Sequence, residues 1–344
     1  MNAFGKQHEL PFRVAAAEIV GEQALHQHLE YCAGFFDGDG CATAERQGGR
    51  CKLLVGQTAS SGEALIMFAR LFGGAVYATA RGKGLRRPMV LWQLTGQPCS
   101  VAASILARHP SLKRRQLQLL AAWPRVPLRT VAVQQLQELN KSSPEPEDIL
   151  CTWSYLAGFF DAEGCISVPA AGKCRVILSI GQKQKSALVS IQSFLDKEFP
   201  EYPSHLRHDG KMWSLTCEQT DFSRRVLRHL MLSGLLVKRN SAEAALSLHS
   251  SNHPTVRAKL AVFNGNQSKS KRLDESGCSR ARQISAAQAS LGYFRSVGRS
   301  ERVELLQTRI KQMKDCHNIL NTEAQLSNLR RTIRSMLGTG CVAT

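Results

Sequence analysis

A chain that carries the same eleven-residue element twice must build much of its fold twice. Tyr31-Cys-Ala-Gly-Phe-Phe-Asp-Gly-Asp-Gly-Cys41 returns as Tyr155-Leu-Ala-Gly-Phe-Phe-Asp-Ala-Glu-Gly-Cys165, matching at eight of eleven positions. One mismatch exchanges Asp39 for Glu163, acid for acid. The similarity runs on past the element. Arg50-Cys51-Lys52-Leu53 aligns with Lys173-Cys174-Arg175-Val176, and Gly56-Gln57 with Gly181-Gln182. Trp92-Gln-Leu-Thr95 then aligns with Trp213-Ser-Leu-Thr216, and Leu112-Lys113-Arg114 with Val237-Lys238-Arg239. Landmarks kept in one order, with small drifts in loop length, mark an internal duplication.

Hydrophobic spacing and turn residues give each half the order α-β-β-α-β-β-α. Helices are expected over 26–39 and 151–163, followed by strands over 42–46 and 51–57, and over 166–168 and 174–180. A second helix (65–72, 188–199), two more strands (75–80 and 89–94; 204–208 and 211–216) and a closing helix (98–107, 219–232) complete each unit. The fold class is therefore α+β: two pseudo-symmetric repeats, each with an antiparallel sheet, plus a helical C-terminal extension. The boundaries read as an N-terminal segment 1–24, a first repeat 25–125, a linker 126–150, a second repeat 151–248 and an extension 249–344. Residues 141–148 are polar and proline-bearing, and they lead to Asp148 or Thr152 as the N-cap of the second motif helix.

The chain has 45 Lys and Arg against 27 Asp and Glu among 344 residues, a net charge of +18. A fold does not need that excess, whereas a polyanion-binding surface does, and nucleic acid is the polyanion that rewards it most. No apolar run reaches the roughly 18–20 residues a bilayer crossing requires, and no lipid signal is present, so no membrane partner is expected. Apolar residues make up 43%, enough for a real core. The first twenty residues mix Lys6 and Arg13 with Glu9 and Glu18 and lack the apolar stretch of a secretory signal. Eleven cysteines, an odd count without a C-x-x-C pair, argue against a zinc knuckle or a disulfide framework. A reducing compartment fits, whether nucleus, mitochondrion or plastid.

In the motif helix, Gly34 and Gly38 lie four apart on one face, and Gly158 and Ala162 repeat them. Small residues at this spacing let two helix backbones approach, so the two motifs are expected to form the interface between the halves. Gly40 and Gly164 are expected as left-handed stops, which places Asp39 and Glu163 at helix C-termini where the macrodipole disfavours an anion. Two such carboxylates side by side raise each other's pKa, and a shared Mg²⁺ ion relieves both and can activate water against a phosphodiester. Asp37 and Asp161 fall on another face and are expected to cap or hydrogen-bond locally. Lys113 and Lys238 serve either to stabilise phosphate charge or to position the phosphate. Gln57 and Gln182 either orient water or contact the backbone.

Strands over a major groove present alternate side chains to the bases. Thr43, Glu45, Gln47, Arg50 and Lys52 are the expected readers in the first half, with Ser167, Lys173 and Arg175 in the second. Arg81, Lys83, Arg86 and Arg87 suit phosphate.

These residues resemble the LAGLIDADG homing endonucleases in their single-chain, two-motif form, over about residues 25 to 245. The resemblance implies a saddle of two antiparallel sheets over double-stranded DNA with the motif helices at its centre, working as a monomer. Asp39 and Glu163 match the metal-binding acids, Gln57 and Gln182 the pocket glutamine, and Lys113 and Lys238 the pocket lysine. The family uses Mg²⁺ to cut both strands of a long, often intron-associated site; some members are maturases that bind intron RNA. Unequal halves imply a non-palindromic target. Cys32 stands where leucine is common, and Gln184 leaves the glutamine register of the second half open by two residues.

Beyond residue 250 the resemblance ends. Residues 251–344 hold 16 Lys and Arg against 6 Asp and Glu, with a basic loop at 265–272. Val303, Leu306, Ile310 and Met313 keep a three-four spacing, as do Leu326, Leu329, Ile333 and Met336. Two amphipathic helices are expected, with a register break near 317–323 that opposes a coiled coil. Their charge makes them a candidate DNA or RNA arm.

Overall fold

The computed structural model describes residues 1–14, 22–45, 49–80, 88–141, 150–169, 174–263 and 275–338. Three short strands, β1 (Asn2–Ala3), β2 (Lys6–Gln7) and β3 (Phe12–Arg13), precede the first motif helix α1 (Glu22–Asp39). The first half continues with β4 (Gly40–Ala44), β5 (Cys51–Thr58), α2 (Glu63–Phe72), β6 (Ala75–Ala80), β7 (Met89–Thr95), α3 (Gln97–Leu106), α4 (Arg114–Ala121) and α5 (Arg129–Lys141). The second half repeats the plan with α6 (Trp153–Glu163), β8 (Gly164–Ser167), β9 (Ile177–Gln182), α7 (Lys185–Glu198), β10 (His205–His208), β11 (Trp213–Cys217), α8 (Thr220–Leu232), α9 (Arg239–Leu246) and α10 (His253–Phe263). Helices α11 (Glu275–Ser296) and α12 (Ser300–Gly338) form a separate unit, 266–344, while the body extends to Gly265.

Strand order makes the duplication visible. The first sheet runs β3-β6-β7-β5-β4 and the second β10-β11-β9-β8, with every pairing antiparallel. Without β3 the two orders coincide. Alternation decides which face each strand buries. Leu53, Val55, Val90, Trp92 and Leu94 point to one side of the first sheet, and Leu178, Ile180, Leu215 and Cys217 do the same in the second. The helices cover those faces: α2 buries Leu65, Phe68 and Ala69 there, and α7 buries Leu188, Ile191 and Leu195. Each of the buried Val, Leu, Ile and Phe side chains contributes about 1.5–3 kcal/mol.

Several expectations need correction. Gly40 and Gly164 are not left-handed stops, because Gly164 has φ −72° and ψ 154° and Gly40 is not among the positive-φ glycines. Each begins a strand directly, and a Cβ on either would overlap the ring and carbonyl of Phe36 or Phe160 one turn back. Glycine is needed there for close approach, not for handedness. The stretch 126–150 is not all linker: α5 occupies Arg129–Lys141, buries Ala132 and Leu136, and is tied down by Asn140 Nδ2 donating to Ala42 O at 3.0 Å. The body also outruns residue 248, because α10 buries Val256 and Leu260. Each half gains one more helix than expected, α4 and α9, and each of these follows directly on Lys113 or Lys238.

Unit 266–344 holds one long helix where two were expected. Helix α12 passes through 317–323 without a break. The polar residues there are satisfied inside the hairpin: Asn321, 4% exposed, accepts from Arg280 Nη2 at 3.0 Å and donates to His317 Nε2 at 2.8 Å. At 39 residues against 22, α12 is longer than its partner α11 by roughly 25 Å at ~1.5 Å per residue. Ile310 is accordingly buried, whereas Leu326 and Ile333 are exposed. No helix among the described residues is long and apolar enough to cross a membrane.

Candidate active site

The two motif helices meet through their small residues. A Cβ on Gly34 would overlap the Tyr155 carbonyl oxygen, and one on Gly158 would overlap that of Tyr31. Gly38 faces Ala162 and lies beside Glu163, whose Cγ would sit 3.0 Å from an added Cβ. The backbones therefore touch reciprocally, as the spacing of Gly34, Gly38, Gly158 and Ala162 required. Thr152 is the N-cap of α6, its Oγ1 accepting from Tyr155 N at 3.2 Å. The alternative cap, Asp148, lies outside the described residues.

Parallel pairing brings the C-termini of α1 and α6, and hence Asp39 and Glu163, to one place. Burial and, second, the charge of Glu163 push the Asp39 carboxyl up to about 7, against the pull of Lys238 and Lys113. Glu163 is raised too, mainly by burial, and the Gln182 hydrogen bond and the two lysines oppose the rise. Asp39 keeps solvent access all the same, and Glu163 is half-buried. Gln57 Nε2 donates to Asp39 Oδ2 at 3.4 Å, and Gln182 bonds Glu163. Both glutamines sit at strand ends on the helix-facing side, in phase with Leu53 and Val55 or with Leu178 and Ile180. The open register is thereby resolved: Gln182 reaches the acid, and Gln184 is the residue that precedes α7.

Lys113 and Lys238 lie close enough to both acids to feel their charge. Lys113 Nζ donates to Phe36 O at 2.8 Å and to Gly40 O at 2.6 Å, and Lys238 Nζ donates to Asp161 O. Burial pulls both ammonium pKa values down, and the aspartates at 37 and 161 resist that pull most.

Asp37 and Asp161, expected to cap or hydrogen-bond locally, bond instead to segments 74 or more residues away that lead into helices. They form a crossed network that the sequence reading missed. Tyr155 Oη donates to Asp37 Oδ2 and Tyr31 Oη to Asp161 Oδ2, both at 2.8 Å. Asp37 also accepts from Ser111 Oγ at 2.7 Å, Leu112 N at 2.7 Å and Lys113 N at 3.2 Å. Asp161 accepts from Leu236 N at 2.7 Å, Val237 N at 2.9 Å and Lys238 N at 2.8 Å. Each aspartate thus caps the helix that begins after the lysine and fixes where that lysine stands. Burial raises both carboxyls and the paired lysines oppose it. The signal that could have found them was the repeat of the buried Tyr-x₅-Asp pair within both motifs.

No protein-family model and no curated protein matches this sequence. Solved structures do match. I-AabMI, a LAGLIDADG meganuclease bound to uncleaved DNA, shares 13% identity over 70% of this chain and 99% of its own, with a TM-score of 0.52. The LAGLIDADG homing endonuclease I-GzeII in complex with a DNA target shares 11% over 71% and 99%, with a TM-score of 0.51. The meganuclease I-SmaMI, bound to uncleaveable DNA with a TTCT central four, shares 10% over 70% and 99%, with a TM-score of 0.50. The chain has the LAGLIDADG homing-endonuclease fold. At these identities the likeness concerns the fold.

In the LAGLIDADG fold of this chain, the sheet faces turned away from the helices carry the expected readers. Thr43 pairs with Lys52 on that face. Glu45 is taken up by its neighbours: its Oε1 lies 3.1 Å from Lys52 Nζ and 3.7 Å from Arg50 Nη2, and these cations hold its carboxyl below the usual range. Ser167 is exposed on β8, and Arg175 Nη2 is engaged with Glu218 Oε2 at 3.5 Å. Gln47, Arg81, Lys83, Arg86, Arg87 and Lys173 lie outside the described residues, as do 265–272. The register adds residues that the sequence reading passed over. Gln93 and Thr95 alternate with buried Trp92 and Leu94, and Ser214 pairs with Arg207 on the same face of the second sheet. Strict alternation around the two Trp landmarks was the available signal.

Proposed function

We propose that this protein is a site-specific DNA endonuclease that cuts both strands of a non-palindromic duplex with a divalent metal ion held between Asp39 and Glu163. The observation that carries this reading is the meeting of two acids at the paired helix ends, each with its own glutamine and both within reach of the charge of Lys113 and Lys238. The net charge of +18 and the DNA-bound state of the solved structures with this fold support DNA as the partner. One chain supplies both halves, so a monomer presents two pockets. The halves differ, with β3 extending the first sheet alone, which fits an asymmetric target.

The residues fit a hard divalent cation such as Mg²⁺. The donors are carboxylate oxygens, one from each half, and the Asp39 carboxyl is raised to about 7 by burial first and by the neighbouring Glu163 charge second. Such an ion, when bound, lowers the pKa of a coordinated water and offsets charge on the phosphodiester. The chain's own residues do the rest. Gln57 and Gln182 orient the two carboxylates by hydrogen bonding. Lys113 and Lys238 are held at fixed positions by Asp37 and Asp161, where their charge can meet that building on a scissile phosphate. Two pockets about a pseudo-two-fold match the two strands of a duplex, one strand to each.

Selection of cleaved sites from a randomised DNA library with Mg²⁺, against Ca²⁺ as a non-cleaving control, tests this reading. One enriched, asymmetric site cut on both strands is expected. No enrichment, together with intron RNA binding that survives Asp39→Asn and Glu163→Gln, would reassign the scaffold to splicing assistance.

A further inference from the structure

A second cluster of ligand-type side chains lies away from the acid pair, in the first turns of α1. His26 and Glu30 are four residues apart on one helix face, with His26 Nε2 3.3 Å from Glu30 Oε1. His109, from the turn after α3, joins them: one ligand atom from each of the three lies within 4.8 Å of the others. The His26 and His109 rings stand 5.3 Å apart by centroid. Glu30 is nine residues before Asp39, roughly 14 Å along the helix at ~1.5 Å per residue, so the cluster and the acid pair are separate sites.

A helical His–Glu pair alone would be an ordinary surface ion pair. Two further facts set this one apart. His109 is 8% exposed, so a buried imidazole faces the helical pair. Glu30 is itself 9% exposed, and its second oxygen accepts from Thr152 Oγ1 at 2.9 Å. That bond fixes the carboxylate from behind and leaves Oε1 for another partner, as the outer-shell contacts of metal ligands do. The remaining ligand, His26, is largely exposed and free to close on an ion.

We propose that His26, Glu30 and His109 bind one borderline transition-metal ion of the zinc class, with water completing the coordination. Two imidazoles and one carboxylate are a common set for such an ion, and they are unlike the all-oxygen set at the motif acids. Ligand atoms on a tetrahedral zinc ion with ~2.0–2.1 Å bonds stand about 3.3 Å apart, the separation His26 and Glu30 already have. The ion joins the start of α1 to the turn after α3 and, through Glu30 and Thr152, to the N-cap of α6. It therefore braces the junction of the two halves at the end opposite the acid pair.

The test uses full-length Asp39→Asn/Glu163→Gln protein, freed of metal, so that the motif acids do not compete. Addition of Co²⁺ as the spectroscopic probe is expected to give visible d–d absorption saturating at one equivalent. Zn²⁺ is expected to displace the Co²⁺ and to raise Tm. His26→Ala, at an exposed position that the fold does not depend on, and His109→Ala should each abolish the absorption and the Zn²⁺-dependent rise in Tm. His28→Ala, two residues off the ligand face, should leave both intact. Absence of the d–d signal in the acid-free protein, or a signal that persists in both His26→Ala and His109→Ala, would overturn the assignment.

Discussion

The two halves perform the same positioning task with different atoms. In the first, Asp37 holds its lysine segment through one serine hydroxyl and two backbone N–H groups; in the second, Asp161 uses three backbone N–H groups. Asp39 is exposed, whereas the longer Glu163 is half-buried. Lys113 Nζ rests on the carbonyls of Phe36 and Gly40, and Lys238 Nζ on that of Asp161. What the duplication repeats is an acceptor, a cation and an acid at fixed places, while residue type varies where another residue can supply the same atom. The crossed tyrosines show the opposite limit. Each half lends its tyrosine to the other half's aspartate, so neither site is complete alone.

The largest test of this comparison is strand-specific. Lys113→Met and Lys238→Met should each slow cleavage by about 10²–10³-fold, the usual cost of losing a preorganised charge at a reacting phosphate. On the proposed assignment of one lysine to each pocket, the two variants should accumulate nicks on opposite strands of an end-labelled duplex. Nicks on the same strand would break the assignment of one pocket to each half.

Next in size are the contact glycines. Gly34→Ala and Gly158→Ala push a methyl group into a backbone carbonyl of the facing helix, which cannot swing aside. Each should cost about 3 kcal/mol in chemical denaturation. A loss confined to one of the two would mean that the contact is less symmetric than the structure has it. Tyr31→Phe and Tyr155→Phe remove one hydrogen bond each from a buried carboxylate that keeps three others, and both should cost about 1.5–3 kcal/mol. Near-equal values are expected, since the crossed bonds have the same length.

The smallest effect is a titration. Burial is the larger cause of the raised Asp39 pKa and Glu163 the second, so Glu163→Gln should lower it from about 7 without restoring the ordinary carboxylate value. The sign follows from removing a neighbouring negative charge: the ionised form becomes easier to make, and Asp39 holds its proton only to a lower pH. Carboxyl carbon NMR of the metal-free protein reads this directly, and an Asp39 midpoint still at about 7 would deny the two acids their contact.

Much of this centre was legible because duplication turns weak local signals into paired ones. Gly34 or Gly158 alone is an incidental glycine; together they define a seam. The acids, the glutamines and the lysines were found in the same way. The partners of Asp37 and Asp161 were not legible, since they lie 74 to 77 residues away for the lysine segments and more than 100 for the tyrosines. Periodicity reports only neighbours a turn or a strand step apart. The same limit explains the continuous α12: its polar stretch looked like a break, but Arg280 on the partner helix satisfies Asn321. Helix α5 was passed over because its apolar face is narrow, with only Ala132 and Leu136 buried.

The most direct test of the central claim is cleavage of the library-selected duplex by wild type, Asp39→Asn and Glu163→Gln, with binding to the same duplex measured in parallel. The account predicts Mg²⁺-dependent double-strand cleavage by wild type alone, a loss of more than about a thousandfold in each variant, and retained DNA binding in all three. Undiminished double-strand cleavage by either variant would contradict it.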